Sequence, residues 1–371
     1  MVLFAFLQMH AQKMCRAFFC DDENIRKGRN IMLCEPSYIK EFHCTASACQ
    51  DTCCAGWEIV LDEEALDRYK NVGGSFGKRL KKEIKTEDGE SYFALTKENR
   101  CPFLDTKGLC DIYKHLGEEA LCDICTEHPR FYNWVGDYTE KGLGLCCEEA
   151  ERLLFAEREP LTFVCTEQEE GEEIAEDLQA LLQIRGEAFG ILQDREWPFT
   201  ERIAAFKQYM KQVQAALDEG EETQPEISDL VHFPSEEKIH RILSVYHTLD
   251  FLDPAWKLLL QQAENDAERI AARGAELLSA DASREYEWEH VAVYLLFRYS
   301  IEAVYDGDML TRAGLVCHCL ELLAILAAEI ALQDAYTTEK RDTLLRMFSR
   351  EIEYCPENME AVCEAVREGR L

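Results

Sequence analysis

The second half of the chain has the hydrophobic pattern of a helical bundle. From about residue 174 apolar residues recur with a period near 3.6, which places them on one face of a helix. The first such face consists of Ile174, Leu178, Leu181, Leu182, Phe189 and Leu192. We predict further helices over residues 200–219, 236–251, 254–280, 287–305, 309–333 and 338–352, separated by proline and glycine.

The first half alternates short apolar runs with turn signals. Residues 57–62 and 91–95 predict short strands, and Asp62 is a favoured N-cap for a helix over residues 63–70. Residues 105–108 predict a turn. Such short strands need an additional staple to be stable. The expected fold class is α+β and mostly α-helical, with a small cysteine-rich metal-binding domain with short strands and an all-helical C-terminal domain.

Charge divides the chain in the same way. The 371 residues suffice for two domains and carry a net charge of −32, of which −24 falls on residues 161–371. This field repels polyanions, so we expect no nucleic-acid partner; it either attracts a lysine-bearing protein or simply keeps the protein soluble. Three segments are predicted: an N-terminal extension over residues 1–33, a cysteine-rich domain over 34–165, and an acidic helical domain over 166–371. The extension is either not translated, if translation starts at Met32, or disordered.

No membrane partner is expected. The longest apolar stretch, residues 315–331, is interrupted by His318, Glu321 and Glu329. Three neighbouring residues, Cys317, His318 and Cys319, have metal-binding chemistry but face different sides of a helix at this spacing. The aromatic residues near them are expected to form a helix–helix core: Tyr294, Phe297, Tyr299 and Tyr305.

Cysteine is unusually frequent. Eleven of the 18 cysteines lie between Cys34 and Cys147, and four fall within residues 44–54. We expect a cytoplasmic protein, where thiols stay reduced and clustered cysteines favour metal over disulfides. Because Cys53 and Cys54 are adjacent, they cannot easily point at one ion, so at least two environments are expected. Eight or more thiolates suit an iron–sulfur cluster with extra thiols or two zinc ions, and the spacing does not decide between them.

Two other cysteine chemistries are less favoured. A radical cluster with CxxxCxxC spacing from Cys49 would need a cysteine where the chain has Gly56. A dithiol at Cys122 and Cys125 lacks the strand and helix that normally flank such a motif. His43 and His128 lie within the motif region and are candidate hydrogen-bond donors to thiolates.

The cysteine motifs resemble those of the flagellin lysine N-methylase family. The resemblance extends over about residues 35–365 and rests on residues 36–44, 49–57, 100–104, 109–113, 121–125 with Pro129 and Arg130, and 145–152. Residues 349–354 with Asn358 resemble the closing motif of the family, although Tyr354 stands where a histidine is expected. The family cysteines fall on Cys44, Cys49, Cys53, Cys54, Cys101, Cys110, Cys122, Cys125 and Cys147. The resemblance implies methyl transfer from S-adenosyl-L-methionine to lysine side chains of flagellin or a similar surface protein, with a cysteine-bound 4Fe-4S cluster.

Methyl transfer to lysine requires a neutral amine, although free lysine has a pKa near 10.4. A carboxylate or tyrosine can accept the proton, and Glu148, Glu149 and Tyr113 are the candidates, with Asp111 as a further one. For the two glutamates the alternative is a role in the first turn of a helix.

The donor site is less defined. Arg130 and Arg152 are candidates to bind the carboxylate of the methyl donor, with structural ion pairs as the alternative. The glycine-rich residues 73–77 follow a predicted helix and not a buried strand, so we expect a helix-ending loop there. The alternative function is a non-enzymatic iron–sulfur or zinc protein that senses, stores or transfers metal. The oligomeric state is not indicated by the sequence.

Overall fold

The computed structural model describes residues 32–87, 89–167, 175–218, 233–279 and 281–371. The predicted start at Met32 concerns residues 1–31, which lie outside this part. The strands are β1 Met32–Pro36, β2 Ile59–Val60, β3 Ile84–Glu87, β4 Glu90–Phe93, β5 Arg130–Val135, β6 Tyr138–Leu143 and β7 Phe163–Glu167. The helices are α1 Glu63–Asn71, α2 Gly74–Glu83, α3 Asp111–Leu116, α4 Asp123–Glu127, α5 Glu148–Ala156, α6 Glu176–Leu192, α7 Phe199–Leu217, α8 Glu236–Tyr246, α9 Pro254–Asn265, α10 Ala267–Ser279, α11 Glu285–Tyr299, α12 Ala303–Asp306, α13 Met309–Gln333, α14 Thr338–Phe348 and α15 Pro356–Arg367.

The chain forms two compact units, each built from discontinuous segments. Within the described part of the chain, the cysteine-rich unit comprises residues 40–131 and 143–153, and the helical unit comprises residues from the ranges 32–39, 132–142 and 154–371. They are therefore not the two consecutive segments that the sequence predicts with a boundary after residue 165. The reason is strand pairing, because β1 and β7 lie in one sheet with β5 and β6, and this sheet belongs largely to the helical unit.

The sheet of the helical unit has the strand order β5-β6-β1-β7. Strand β1 runs parallel to β6 and antiparallel to β7, with Cys34 opposite Cys165. These two cysteines form a disulfide, so the expectation of reduced thiols does not hold for this pair. None of these four strands was predicted from the sequence; β5 and β6 are neighbours in the chain, whereas β1 pairs with β6 and β7, which lie more than 100 residues away.

Helix α13 is the central helix of the helical unit. It begins with Asp308, whose side chain caps the backbone N–H of Thr311 at 2.9 Å, and it contacts α7, α9, α10, α11, α14 and α15. In the described part of the chain, α13 alone is long and apolar enough to cross a membrane by length and composition. The sequence predicted that His318, Glu321 and Glu329 make this stretch too polar to span a membrane. The mean hydropathy of α13 nevertheless lies in the range of membrane-spanning helices. Since 72% of its most apolar window is buried, α13 has the environment of a core helix.

The other predicted helices are present with modified ends. The predicted helix over residues 254–280 is divided into α9 and α10, and residues 349–353 form a π-helical turn after α14. Helix α15 was not predicted. Of the four predicted core aromatics, Tyr294, Phe297 and Tyr299 are buried, but Tyr305 is 44% exposed, which corrects that prediction.

The cysteine-rich unit is held by a small sheet and a small core. Its strand order is β2-β4-β3, and its core contains the fully buried rings of Tyr69, Phe93 and Phe103 together with the thiols of Cys101 and Cys122. The predicted strands correspond to β2 and β4, and Asp62 caps α1 by accepting from the N–H of Ala65 at 2.7 Å. The mostly helical α+β fold class is confirmed.

The glycine-rich residues 73–77 do not form the predicted helix-ending loop. Helix α1 ends at Asn71, and α2 already begins at Gly74. The loop between them is therefore only two residues long. Because it joins two helices, it lacks the strand–turn–helix context of a nucleotide-binding loop.

Candidate metal centre

The cysteines of the cysteine-rich unit lie on loops and at helix starts. The loop with Cys53 and Cys54 is fixed by two hydrogen bonds, from Trp57 Nε1 to Cys53 O and from Cys101 N to Cys54 O, both 2.8 Å long. Cys110 and Cys122 are the N-cap residues of α3 and α4. Cys147 comes directly before α5. Backbone N–H groups at helix starts favour a thiolate, the form that binds metal.

Five thiols form a first group, consisting of Cys54, Cys101, Cys110, Cys122 and Cys125. Burial raises the pKa of Cys101 to about 12, and the charges of Cys54, Cys110 and Cys122 contribute to this increase. A hydrogen bond between Cys125 and Cys122 raises the pKa of Cys125 and lowers that of Cys122. The five thiols thus influence one another's pKa, although they span residues 54–125.

Four thiols form a second group, consisting of Cys44, Cys49, Cys53 and Cys147. Burial raises the pKa of Cys147 to about 11, with contributions from the nearby Cys49 and Cys44. The pKa of Cys53 is raised by a hydrogen bond with Cys54, by burial, and by the charges of Cys44 and Cys147. The two groups therefore share the adjacent pair Cys53–Cys54, whose thiols are hydrogen-bonded to each other.

The donor chemistry of both groups fits a thiophilic metal. All nine sulfur atoms are free thiols, the ligand type that selects zinc or iron–sulfur clusters. Among the described residues, however, no group of three or more His, Cys, Asp or Glu side chains is arranged so that it could hold a metal ion. The structure thus shows thiol groups of the required chemistry in proximity, without a defined set of four ligands.

Two residues that received no role from the sequence act on Cys54. The pKa of Cys54 is lowered to about 7, first by the hydrogen bond from Cys53 and then by Thr52 and the charge of Arg100. The only signal in the sequence is position, since Thr52 precedes the cysteine pair and Arg100 directly precedes Cys101.

Glu148 is the predicted catalytic residue that lies beside the thiols. Its Oε2 accepts from the backbone N–H of Gln50 at 2.8 Å and from the thiol of Cys49 at 3.5 Å. It is also in the first turn of α5, so the structural role weighed from the sequence is present together with the contact to a thiol.

The other predicted catalytic and donor-binding residues have separate partners, except for one glutamate and one arginine. Glu149 and Arg152 pair with each other through two hydrogen bonds of 2.7 Å. Tyr113 is 51% exposed. The guanidinium of Arg130 lies 5.1 Å from the ring centre of Phe42. The carboxylate of Asp111, the further candidate acceptor, pairs with the guanidinium of Arg79 at 2.7 Å.

Other polar residues of the motif region also have defined environments. His128 Nε2 lies 3.8 Å from the sulfur of Cys146, a contact consistent with the predicted hydrogen bonding to a thiol. In the helical unit, His318 contacts the hydroxyl of Tyr246 at 2.9 Å.

Comparison with known proteins identifies two domains. Residues 185–371 match the family model described as "FliB lysine N-methylase C-terminal domain". Residues 43–142 match the model described as "Putative zinc- or iron-chelating domain". This second match covers most of the cysteine-rich unit, and both agree with the resemblance found in the cysteine motifs.

Curated relatives align with a third of the chain. The flagellar biosynthetic protein FliU of Salmonella muenchen is 30% identical over 134 residues, which is 33% of this chain and 75% of FliU. The lysine-N-methylases of Salmonella typhimurium and Salmonella choleraesuis are each 30% identical over 127 residues, which is 33% of this chain and 32% of each relative. The aligned region thus spans about a third of the length of these two enzymes. No solved structure matches the chain.

Proposed function

Because the chain belongs to the FliB lysine N-methylase family, a family of protein-lysine methyltransferases, we propose that it methylates lysine side chains of flagellin or a similar surface protein. The methyl donor is S-adenosyl-L-methionine, and the reaction takes place in the cytoplasm. The observation that carries this proposal is the family match over residues 185–371. The name of FliU, a flagellar biosynthetic protein, supports flagellin as the substrate.

The charge of the protein supports a lysine-bearing substrate. The chain carries 72 acidic against 40 basic residues. Such a field attracts a cationic side chain and accelerates its encounter with the enzyme. The attraction is screened by salt, so methylation of a lysine-rich substrate should slow as ionic strength rises.

The reaction also requires removal of a proton from the substrate. A lysine ammonium has no lone pair, so methylation needs a neutral amine, and either an acceptor or an apolar environment provides it. Glu148, Glu149 and Tyr113 remain the proposed acceptors. The carboxylate of Glu149 is already paired with Arg152 at 2.7 Å, whereas Glu148 accepts only from Gln50 N and the Cys49 thiol among the described contacts. Of the three, Glu148 therefore has the environment best suited to a further partner.

The thiol groups are proposed to hold the metal of the enzyme. The first group, Cys54 with Cys101, Cys110, Cys122 and Cys125, and the second, Cys44 with Cys49, Cys53 and Cys147, each supply at least four sulfur ligands. A bound 4Fe-4S cluster supplies electron-transfer chemistry or a structural crosslink, and zinc supplies the crosslink alone. The protein buries Cys101 and Cys122, and it places Cys110 and Cys122 at the N-caps of helices.

A second function has its own support. The match to a zinc- or iron-chelating domain covers residues 43–142, and Arg130 and Arg152, the predicted donor ligands, have intramolecular contacts. A metal-sensing, storage or transfer protein would have these features without a methyl-donor site. It would bind metal but not S-adenosyl-L-methionine.

The test is label transfer with a matched substrate. Anaerobically purified full-length chain is incubated with methyl-labelled S-adenosyl-L-methionine and either native flagellin or flagellin whose lysines were acetylated beforehand. We expect label on lysines of native flagellin only. Metal-loaded protein that transfers no label, and that shows no donor binding by calorimetry, would contradict methylation and support the metal-handling function.

A further inference from the structure

Three aromatic residues of the helical unit, Tyr132, Trp134 and Tyr305, form an aromatic patch on its surface. Tyr132 and Trp134 are two positions apart on β5, so their side chains share one face of the strand. Their rings are stacked, with centres 5.6 Å apart. Tyr305, on the short helix α12, donates from its hydroxyl to the carbonyl of Trp134 at 3.1 Å. The patch thus joins residues that are 171 positions apart in the chain.

The rings of the aromatic patch are held in place although they are exposed. Trp134 is 43% exposed and Tyr305 is 44% exposed. The stack with Tyr132 fixes the plane of the indole, and the hydrogen bond to the strand fixes the phenol ring of Tyr305. A ring that is fixed in the free protein loses little conformational entropy when a ligand binds to it. The aromatic patch is therefore a preorganised binding surface.

The short helix α12 adds negative charge beside the patch. Glu302 and Asp306 lie three positions before and one position after Tyr305, and the spacing of three and four residues places Glu302 on the same helix face as the other two. The side chains of Glu302 and Asp306 are 41% and 42% exposed, and both pair with the guanidinium of Arg312, at 3.7 and 2.8 Å. Two carboxylates thus share one cation, which leaves a net negative charge.

Of these two carboxylates, Glu302 is the one best placed to take a second cation. Its distance of 3.7 Å to Arg312 is longer than a hydrogen bond, whereas Asp306 already accepts from Arg312 and from the N–H of Asp308. Burial, and after it the charge of Glu302, raise the pKa of Tyr305. The carboxylate therefore acts on the one ring of the patch that lies on its own helix.

An exposed aromatic ring beside a carboxylate has the chemistry that recognises an alkylammonium group. The negative face of the ring attracts the cation, the methylene groups of the ligand pack against the ring, and the carboxylate accepts from the ammonium. An anion would be repelled by the two carboxylates, and an apolar ligand would leave their charge uncompensated. The side chain of lysine combines the methylene stem and the ammonium that this surface fits.

We infer that the aromatic patch and Glu302 bind a lysine side chain of the protein substrate. The methylene stem packs against Trp134, and the ammonium lies over the ring of Tyr305 and donates to Glu302. This inference deepens the proposed function and rests on it, because the lysine belongs to flagellin or a similar surface protein. The patch is a binding site, and the proton acceptors proposed above are not part of it.

The test measures the binding of flagellin in the absence of a methyl donor. Biolayer interferometry with the full-length chain gives the Kd of native flagellin and of flagellin whose lysines were acetylated beforehand. In Trp134→Ala, the Kd of native flagellin should rise about two- to fivefold, the effect of losing an exposed cation–π contact, while that of acetylated flagellin should not change. Trp134→Phe should retain part of the affinity, because it keeps an aromatic face. The matched control is Trp197→Ala, which removes a tryptophan that is 56% exposed and lies outside the patch.

A second variant tests the carboxylate separately. Glu302→Gln keeps the size of the side chain and removes its charge, so it should raise the Kd of native flagellin about twofold and make binding less dependent on salt. Because Glu302 is partly exposed and is not hydrogen-bonded to Arg312, this variant should unfold at the same temperature as the wild type. It keeps the inference testable even if Trp134→Ala is less stable than the wild type.

The outcomes separate the inference from its premise. If the wild type methylates flagellin, and Trp134→Ala and Glu302→Gln bind native flagellin as tightly as the wild type does, the inference is overturned and the proposed function stands. An equal rise in Kd for native and acetylated flagellin would also overturn it, because Trp134 would then not recognise a lysine. The same holds if Trp197→Ala weakens binding as much as Trp134→Ala. If the wild type neither binds nor methylates flagellin, the proposed function and the inference fail together.

Discussion

At the scale of single residues, Glu353 organises a buried polar cluster in the helical unit. Its Oε1 accepts from the hydroxyls of Tyr294 at 2.9 Å and Tyr299 at 3.1 Å, and Arg298 Nη1 lies 3.5 Å away. Glu353 belongs to the closing motif that resembles the FliB family. The contacts give this part of the motif a structural role, since a buried guanidinium requires a compensating carboxylate.

Removal of this carboxylate should destabilise the protein strongly. We expect Glu353→Ala to lower the free energy of unfolding by about 3–5 kcal/mol, because the buried guanidinium of Arg298 would lose the carboxylate that lies 3.5 Å away. The exposed Glu360 on α15 offers the control, and Glu360→Ala should change stability by less than about 0.5 kcal/mol. Urea denaturation followed by circular dichroism measures both variants, and equal stabilities would contradict the role of Glu353.

His318 should make the stability depend on pH. Burial lowers its pKa to about 4 from 6.5, and the opposing charges of Glu321, Lys238 and Lys207 have smaller effects. Because the folded pKa is depressed, the unfolded chain binds more protons below pH 6.5, so this residue destabilises the fold as pH falls from 6.5 to 4. The loss should be on the order of 1–3 kcal/mol.

The pH effect of His318 is measured as a difference between proteins. Thermal unfolding of wild type and His318→Gln is compared at several values between pH 7 and pH 4, where the wild type should lose more stability than the variant. Parallel pH profiles would show that His318 does not titrate as its burial implies.

At the scale of elements, Gly77 allows two helices of the cysteine-rich unit to lie close together. A Cβ at this position would overlap the carbonyl of Val72, the C-cap residue that follows α1. We expect Gly77→Ala to destabilise the protein by about 1–3 kcal/mol, because backbone must move to admit a methyl group. The control is Gly186→Ala in α6, which has open space at its Cβ position and should stabilise by about 0.5–1 kcal/mol. Opposite signs in thermal unfolding support this packing, and a stabilising Gly77→Ala would contradict it.

Local patterns predicted the helices better than the strands. Helix α13 has the predicted bounds, because its pattern is continuous over residues 309–333. Strands β1 and β7 could not be predicted in this way, since their pairing joins Cys34 to Cys165 across 131 positions of the chain. A period in the sequence reports which residues share a face, but not which distant segment pairs with it.

The candidate site was predictable in its chemistry and not in its grouping. Clustered cysteines indicated thiol ligands, and the adjacent pair Cys53–Cys54 indicated two environments. The sequence could not show that Cys53 shares its surroundings with Cys147, or that Glu148 contacts Cys49, because chain folding alone brings these residues together. Nor did any motif indicate that Trp134 and Tyr305, which are 171 positions apart, are hydrogen-bonded to each other.

At the scale of the whole molecule, the two units differ in what stabilises them. The helical unit has the long buried helix α13 and the disulfide between β1 and β7. The cysteine-rich unit has a three-stranded sheet of two- to four-residue strands, and thiols form part of its small core. So small a core usually needs a crosslink such as a metal.

Metal removal should therefore affect one unit selectively. Treatment with a strong chelator should make residues 40–131 and 143–153 sensitive to limited proteolysis, while residues 233–371 stay protected, because the two thiol groups lie only in the first two segments. Mass spectrometry of the fragments locates the cleavage sites. Unchanged cleavage after verified metal loss would argue against a structural role of the metal.

The most direct test of the central claim, that distant thiols bind a common metal, is the metal content of the anaerobically purified protein. Metal analysis and the visible spectrum are recorded for the wild type, for Cys101→Ser in the first thiol group, and for Cys355→Ser, whose thiol belongs to neither group. The wild type and Cys355→Ser should contain equal amounts of iron or zinc, and Cys101→Ser should contain clearly less. A wild type without metal, or a Cys101→Ser variant with the full content, would contradict the account.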